Sequence, residues 1–163
     1  KPLIAMIQGF CIGGGLAVAL TADIRIASED SLFAIPAARL GLGYGFHGLK
    51  ILTDLVGPSS AKDILFSARR LDAAEATRIG LVNQVVPNDA LEDAVRAYVE
   101  TLCANAPLTI QAAKAAVNEV LKDPAARDLE NLDSNVRAIF DSDDYKEGRR
   151  AFMEKREPRF RGH

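Results

Sequence analysis

The strongest constraint in the sequence is a run of three glycines, Gly13 to Gly15, between two apolar segments. Before it, Leu3 to Ile7 is a continuous apolar run, which is typical of a strand buried on both faces. After it, Leu16 to Ala22 is small and apolar throughout, which predicts a fully buried helix. A strand, a glycine turn and a helix in this order indicate an α/β core.

The region up to Pro87 continues to alternate strand and helix signals. Residues 23–28 alternate apolar and polar side chains, as a half-buried strand does, and residues 32–34 form a short strand that Pro36 ends. Residues 40–48 contain four glycines, which predicts a loop with unusual backbone angles. The other predicted elements are a segment over residues 49–56, a fresh helix over 61–68 after Gly57-Pro58-Ser59-Ser60, a helix over 73–79 capped by Asp72, and a strand over 81–86.

Apolar residues repeat at helical spacing after Pro87, so this part of the chain reads as helix. The repeats are Leu91, Val95, Val99 and Leu102, then Ile110, Ala113, Val117 and Val120, then Leu129, Leu132, Val136 and Phe140. Strands and helices alternate first and helices follow alone. The sequence therefore predicts an α/β core over residues 1–87 and an all-helical subdomain over residues 88–163.

The charge balance argues against two classes of partner. The 163 residues include 20 Lys and Arg against 22 Asp and Glu, which leaves a net charge of −2 and no overall positive field for nucleic acid or a membrane surface. No apolar run reaches the ~18 residues of a membrane span, and no signal peptide is visible, so we expect a cytoplasmic protein. Two cysteines without a CxxC or Cys/His cluster predict neither a disulfide framework nor a metal site.

The glycine run allows three interpretations. Unpaired N–H groups gather at a helix N terminus, and glycines let a ligand oxygen come close to them. Such a site serves as a phosphate cradle or as an oxyanion hole. A phosphate loop needs a Lys and a Ser or Thr after the glycines, where Leu16 and Ala17 stand, so an oxyanion site for a carbonyl fits better. A tight turn that only permits close packing is an equally strong reading of the motif alone.

Seven segments resemble the crotonase (enoyl-CoA hydratase/isomerase) superfamily in that family's order. They are Lys1–Gly15 (KPLIAMIQGFCIGGG), Asp23–Ser28 (DIRIAS), Phe33–Pro36 (FAIP), Arg39–Gly41 (RLG), Ala73–Val82 (AAEATRIGLV), Val85–Pro87 (VVP) and Ala151–Arg156 (AFMEKR). The resemblance implies that residues 1–87 are the C-terminal part of a ββα spiral core and residues 88–163 a helical trimerisation subdomain. It also implies an acyl-CoA substrate, no separate cofactor, a homotrimer or hexamer, and a further N-terminal block before Lys1.

The resemblance assigns roles to four residues. Gly14 matches the position whose N–H forms half of the family's oxyanion hole, and Gly13 beside it is expected to bind substrate. The second donor of the hole belongs to the block before Lys1. Phe152 and Lys155 match positions that hold the nucleotide of coenzyme A, Lys155 as a phosphate partner. A solvated helical lysine is an equally good interpretation of Lys155.

Two departures from the family pattern affect the chemistry. Hydratases carry one glutamate two residues after the glycine run and another after the proline of the Phe-x-x-Pro segment, where this chain has Ala17 and Ala37. The glutamate pair performs general acid–base catalysis, which needs ionisable groups. Hydration by that pair is therefore excluded at these positions.

Tyr44, in the glycine-rich loop, is a candidate substitute. It matches a tyrosine of the methylmalonyl-CoA decarboxylase branch, which residues 141–163 also resemble, and a phenol there would orient a carboxylate or donate a proton. A packing aromatic is the alternative. His47 suits proton transfer near neutral pH but is expected to be structural.

Three functions remain open from the sequence. The first is an enoyl-CoA hydratase-like lyase that lacks both usual glutamates. The second is an acyl-CoA decarboxylase or hydrolase that uses Tyr44. The third is a catalytically inactive subunit that binds acyl-CoA.

Overall fold

The computed structural model describes residues 1–163 and contains six short strands and eight helices. The strands are β1 (Ile4–Ile7), β2 (Phe10–Ile12), β3 (Ile24–Ser28), β4 (Leu32–Ala34), β5 (Leu71–Asp72) and β6 (Gln84–Val86). The helices are α1 (Gly14–Ala19), α2 (Ala37–Leu40), α3 (Phe46–Ser67), α4 (Ala73–Arg78), α5 (Leu91–Cys103), α6 (Pro107–Val120), α7 (Leu129–Asp141) and α8 (Asp143–Glu154).

The strands form two three-stranded sheets. The first has the order β1-β3-β6 and is entirely parallel, while the second has the order β2-β4-β5 with only β5 antiparallel. In the second sheet, β2 and β4 end together at the pair Ile12 and Ala34. Because the two strands are parallel, the segments that follow them leave the sheet at the same edge. This places the N termini of α1 and α2 next to each other.

The chain separates into two compact units, one of Leu3–Arg96 and one of Lys1–Pro2 with Ala97–His163. The division falls within α5. In the first unit one apolar core joins both sheets to α1 and α3, and its largest fully buried side chains are Phe33, Leu16, Leu52, Ile64, Leu71 and Leu81. Burial of such side chains is the main stabilising term of the unit.

Buried hydroxyls fix the crossing from the first sheet to the second. The Ser28 and Ser31 side chains have no exposed surface. The Ser31 hydroxyl donates to the Ile7 carbonyl at 3.3 Å, while the Ser28 hydroxyl donates to the Asp30 carboxylate at 2.5 Å. Leu32 N–H donates to the Gly9 carbonyl at 2.9 Å. These bonds satisfy the backbone where β1 turns into β2, and they fix the direction in which β2 leads to the glycine run.

The second unit is entirely helical. Asp128 caps α7 by accepting from Asn131 N–H, and Ser142 caps α8 by accepting from Tyr145 N–H. Neither α6 nor α7 contains a fully buried residue, although both carry apolar side chains. No helix in either unit is long and apolar enough to span a membrane.

Several sequence predictions are confirmed. Strands cover residues 24–28 and 32–34, Asp72 caps α4 by accepting from Glu75 N–H at 2.8 Å, and helices follow Pro87. The expected break near residue 57 is a kink within α3, since Gly57 has a φ of +77° there and Pro58 begins the second half. The α/β core and the helical C-terminal part are both present.

Three predictions are wrong, and two strands were missed. Strand β1 is not buried on both faces, since Ile7 is buried but Met6 is 55% exposed. Helix α1 is not fully buried: Leu16 and Ala19 face the core, while Val18 is 71% exposed, because residues three apart share a face and their neighbours do not. The loop over residues 40–48 is shorter than predicted, since α2 extends to Leu40 and α3 starts at Phe46. The strands β2 and β5 were not predicted, because they have three and two residues and no alternation pattern is visible over that length.

Candidate functional site

Gly13 makes the turn between β2 and α1. Its φ of +57° and ψ of −115° are a conformation that residues with a side chain rarely adopt. Its N–H donates to the Ala34 carbonyl at 2.8 Å, so this donor is already used within the second sheet. Gly13 therefore directs the backbone, and any contact it makes with a substrate does not use this N–H.

The next two amides are open. The first bond within α1 runs from Ala17 N–H to the Gly13 carbonyl at 3.0 Å, so the N–H groups of Gly14 and Gly15 have no acceptor in the helix. Both glycines are exposed, and a Cβ built on either would meet no atom within 4 Å. Packing therefore does not require glycine at these positions. Gly14 and Gly15 thus combine N–H groups that have no acceptor in the helix with empty Cβ positions, at a helix N terminus where a ligand oxygen would be stabilised.

Ala17 and Ala37 lie in different surroundings. Ala17 is exposed on the second turn of the short helix α1. Ala37 is 7% exposed, belongs to the apolar core and begins α2 directly after Pro36. Pro36 in turn approaches the turn at Gly13, since a Cβ on Gly13 would lie 4.0 Å from Pro36 Cδ. Neither alanine has an ionisable side chain. The two positions therefore supply no acid or base, although the hydrogen-bond donors of the glycine run lie nearby.

Tyr44 and His47 lie near the start of α3. Tyr44 is half-buried and packs against the core, and its hydroxyl makes no hydrogen bond within the chain. His47 is exposed in the first turn of α3, where its ring meets the edge of Phe46 with the centroids 5.9 Å apart. Tyr44 thus has the contacts of a packing aromatic together with a free hydroxyl.

Burial shifts the pKa values of Cys11 and Arg25. The pKa of the Cys11 thiol is raised because burial in β2 disfavours the thiolate. Cys11 is therefore a neutral, small apolar residue, as expected. Burial also lowers the pKa of Arg25, whose guanidinium donates to the carbonyls of Leu81 at 2.8 Å and Ala22 at 2.7 Å. These bonds connect the turn after α1, at Ala22, to the segment that leads into β6, at Leu81.

Phe152 and Lys155 belong to the helical unit, at the end of α8. The Phe152 side chain is 83% exposed. Phe152 also borders a cavity of about 340 Å³ with Tyr145, Phe160 and Ile139. Lys155 ends the helix with a φ of +55° and forms no ion pair within the chain. No group of three or more His, Cys, Asp or Glu side chains in the chain is arranged to hold a metal ion.

Sequence reasoning missed three features of these regions. Gly15 carries a second open amide, which the motif signals but which was not singled out. Glu147 and Arg156 pair beside Lys155, and their only sequence signal is a pair of opposite charges in a charged helix end. The turn at Lys155 has no signal, because glycine is the usual residue in that conformation.

Comparison with known proteins gives one consistent family. The family described as Enoyl-CoA hydratase/isomerase matches residues 1–163. A short-chain-enoyl-CoA hydratase from Clostridium acetobutylicum is 37% identical over 96% of this chain and 60% of its own length. A crotonyl-CoA hydratase from Syntrophomonas wolfei is 38% identical over 98% of this chain and 62% of its own length.

The solved structures agree with the sequence matches. The crystal structure of an enoyl-CoA hydratase/carnithine racemase from Magnetospirillum magneticum superimposes with a TM-score of 0.91 at 35% identity, covering 100% of this chain and 60% of that one. The chain thus spans about three fifths of the length of the relatives it matches. The crotonase-like fold class predicted from the sequence is confirmed.

Proposed function

The chain belongs to the enoyl-CoA hydratase/isomerase family, and on this premise we propose that it binds the thioester carbonyl of an acyl-CoA at the N terminus of α1. The observation that carries the proposal is the amide of Gly14, which has no acceptor in α1 and belongs to an exposed glycine whose Cβ position is empty. Because packing does not require glycine there, a ligand that needs the space accounts for the residue.

The proposed role of Gly14 is to stabilise negative charge on the thioester oxygen. When a thioester loses a proton from Cα, or when water adds at Cβ of an enoyl thioester, its carbonyl oxygen takes up negative charge as an enolate. A preorganised N–H in a dry site stabilises that oxygen more than water does. The family pattern uses two such donors. We propose that Gly14 N–H is one of them.

The reaction that we propose is a hydratase-like addition or loss of water on an enoyl-CoA. The named relatives are hydratases, which favours this class over decarboxylation. Ala17 and Ala37 leave the two-glutamate mechanism without its acid and base, so the expected turnover is slow. We propose that Tyr44 takes part in proton transfer instead, because its hydroxyl is free. A tyrosine stands at the matching position in the methylmalonyl-CoA decarboxylase branch.

A second candidate function is favoured by the same two alanines. A chain that keeps the open amide and lacks proton-transfer groups would bind acyl-CoA without converting it. In this reading it is a non-catalytic subunit. The exposed apolar side chains of α6 and α7 support the proposal that the helical unit forms a trimer contact. They are Val117, Val120, Leu129, Val136 and Phe140.

We propose that the nucleotide of coenzyme A is held by Phe152 and Lys155. Phe152 offers an exposed aromatic face on which an adenine could stack, and Lys155 offers an ammonium that no carboxylate of the chain neutralises. Phosphate groups are strong acceptors for such a cation.

The test is a calorimetric titration of the full-length protein with crotonyl-CoA, followed by an assay of absorbance loss of the conjugated thioester. Binding with slow or undetectable turnover is the expected result. Turnover at the rate of an ordinary hydratase would show that other residues replace the glutamates. Failure to bind any CoA thioester would overturn the proposal.

A further inference from the structure

The last turn of α8 closes in an arrangement that normally uses glycine. Lys155 has φ and ψ of 55° and 41°, in the left-handed region that residues with a side chain enter rarely. Its N–H donates to the Phe152 carbonyl at 3.3 Å, and the N–H of Arg156 donates to the Ala151 carbonyl at 3.1 Å. These two bonds form a Schellman motif with lysine at the glycine position.

Glu147 holds the chain that leaves this turn. Its carboxylate accepts from the two terminal nitrogens of Arg156 at 2.6 and 3.0 Å and from Arg159 N–H at 3.0 Å. Because Arg156 and Arg159 donate to this carboxylate, the pKa of Glu147 falls to about 2. A bidentate Arg–carboxylate pair fixes orientation as well as distance. The Glu147–Arg156 pair therefore fixes the backbone immediately after Lys155.

A second carboxylate on the same face of α8 extends the attachment. Asp144, three residues before Glu147, is 4% exposed and accepts from Arg161 N–H at 2.6 Å and Gly162 N–H at 2.8 Å. Residues 156–162 thus run back along α8 on two carboxylates. The turn at Lys155 is therefore held by the hydrogen bonds of the helix end before it and by the two carboxylates that bind the chain after it.

The pair also determines which charges remain free. Arg156 binds Glu147 and, through Nε, Glu154 at 2.6 Å. These are the acidic residues nearest to the turn on α8. Arg156 pairs with both carboxylates, and Lys155 forms no ion pair with either, so its ammonium stays available for an anion.

We propose that Glu147 and Arg156 are positioning residues that hold Lys155 in its turn and keep its ammonium free for a phosphate of coenzyme A. This inference rests on the proposed function, which assigns Lys155 to the nucleotide. Glu147 and Arg156 act only through Lys155, so they should affect recognition of the nucleotide and leave recognition of the thioester unchanged.

The experiment measures dissociation constants of the full-length protein for crotonyl-CoA and for crotonyl-pantetheine, which lacks the nucleotide. Lys155→Met should weaken binding of the CoA thioester by about tenfold, as loss of one charge-assisted bond to phosphate does, with no change for the pantetheine thioester. Glu147→Gln should give a similar selective loss. The double variant should lose little more than either single variant, because the residues act together.

Controls separate this inference from the proposed function. Glu130→Gln, an exposed change in the first turn of α7, should leave both constants unchanged. A Glu147→Gln variant that keeps the full preference for CoA while Lys155→Met loses it would overturn the inference alone. A Lys155→Met variant that keeps the preference would overturn the assigned role of Lys155 and the inference with it. An equal loss for both ligands in Glu147→Gln would show a general structural role and overturn the inference.

A conservative variant covers the case in which Glu147→Gln does not fold. Arg156→Lys keeps the charge but cannot bind both carboxylate oxygens of Glu147 in the same plane. It should lose part of the preference for crotonyl-CoA over crotonyl-pantetheine, while the dissociation constant for crotonyl-pantetheine stays unchanged. A full preference in Arg156→Lys would contradict the proposed positioning.

Discussion

The first turn of α1 and the last turn of α8 use glycine in opposite ways. At Gly14 the fold would accept a side chain, since the backbone is helical and a Cβ would meet no atom within 4 Å, yet the residue is glycine. At Lys155 the backbone has the conformation in which glycine is usual, yet the residue is lysine. Local stability alone would favour the reverse choice at both positions.

The difference fits the role that we propose for each turn. A missing side chain leaves an amide accessible, which suits an anionic or carbonyl oxygen approaching the helix N terminus. A charged side chain in a strained turn places an ammonium at a helix end whose carboxylates, Glu147 and Glu154, are already paired with Arg156. Both turns thus give up some local stability for a group that a ligand would contact.

The largest effect is expected from restoring the two glutamates near the open turn. Ala17→Glu with Ala37→Glu should raise hydration of crotonyl-CoA by about 10²–10⁴, the usual range for general acid–base catalysis. Absorbance loss of the conjugated thioester measures it. The two changes differ in cost: Ala17 is exposed, whereas Ala37 is in the core, so Ala37→Glu should lower stability by about 1–3 kcal/mol. No gain in rate from a folded double variant would show that the corner is not a catalytic site.

Removal of the open amide itself should have the next largest effect. Proline is tolerated at the first position of a helix and has no N–H, so Gly14→Pro deletes the donor with little damage to α1. Any turnover should fall by about 10²–10³, the usual loss for one oxyanion donor. The infrared carbonyl stretch of bound crotonyl-CoA should also move back toward its value in water.

A matched substitution makes the Gly14 experiment specific. Gly48→Ala changes another helical glycine, in α3, where the new Cβ would lie 4.0 Å from Tyr44 Cδ1. It should leave the carbonyl stretch unchanged and stabilise the fold by up to about 1 kcal/mol. An unshifted stretch already in the unaltered protein would mean that the amide of Gly14 does not contact the thioester.

The open turn was largely predictable from the sequence. Three glycines between an apolar strand and an apolar helix locate a helix N terminus, and the family resemblance marks Ala17 and Ala37 as positions where hydratases carry glutamates. The sequence could not show which amides are open, because the bond from Gly13 N–H to the Ala34 carbonyl depends on the pairing of β2 with β4. That pairing is between short strands distant in sequence, and no local pattern reports it.

The turn at Lys155 was not predictable in the same way. The sequence predicts helix after Pro87 in general, but it has no glycine where α8 ends, so the last residue of that helix carries no local signal. The bonds from Glu147 to Arg156 and Arg159 span nine and twelve residues and arise only after the chain reverses. A resemblance can assign Lys155 to a phosphate, and only the folded structure shows what holds it there.

A smaller effect, with opposite signs for stability and binding, is expected at Lys155. Lys155→Gly should stabilise the protein by about 1 kcal/mol or less, since glycine avoids the Cβ clash but loses more conformational entropy on folding. It should weaken binding of crotonyl-CoA by about tenfold through loss of the charge. Urea unfolding and calorimetric titration measure the two effects.

Ala68 provides the matched control for that change. It is the other residue with a side chain and a positive φ, at +48°, where α3 ends. Ala68→Gly relieves the same backbone strain and should leave CoA binding unchanged. If both variants weakened binding equally, the effect would come from the backbone, and the comparison between the two turns would fail.

The smallest effect is the pH dependence of the hydrogen bonds by which the Glu147 carboxylate holds the chain after Lys155. Its pKa is lowered from 4.5 to about 2, first by the bonds from Arg156 and then by the N–H of Arg159. A depressed carboxyl pKa stabilises the folded state above the unfolded value of 4.5, and this contribution is lost as the pH falls through about 2. The amide resonance of Arg159 should therefore stay constant from pH 7 to pH 4 and titrate near pH 2. Glu147→Gln should abolish the transition, and a midpoint near 4.5 in the unaltered protein would show that the carboxylate does not hold the chain after Lys155.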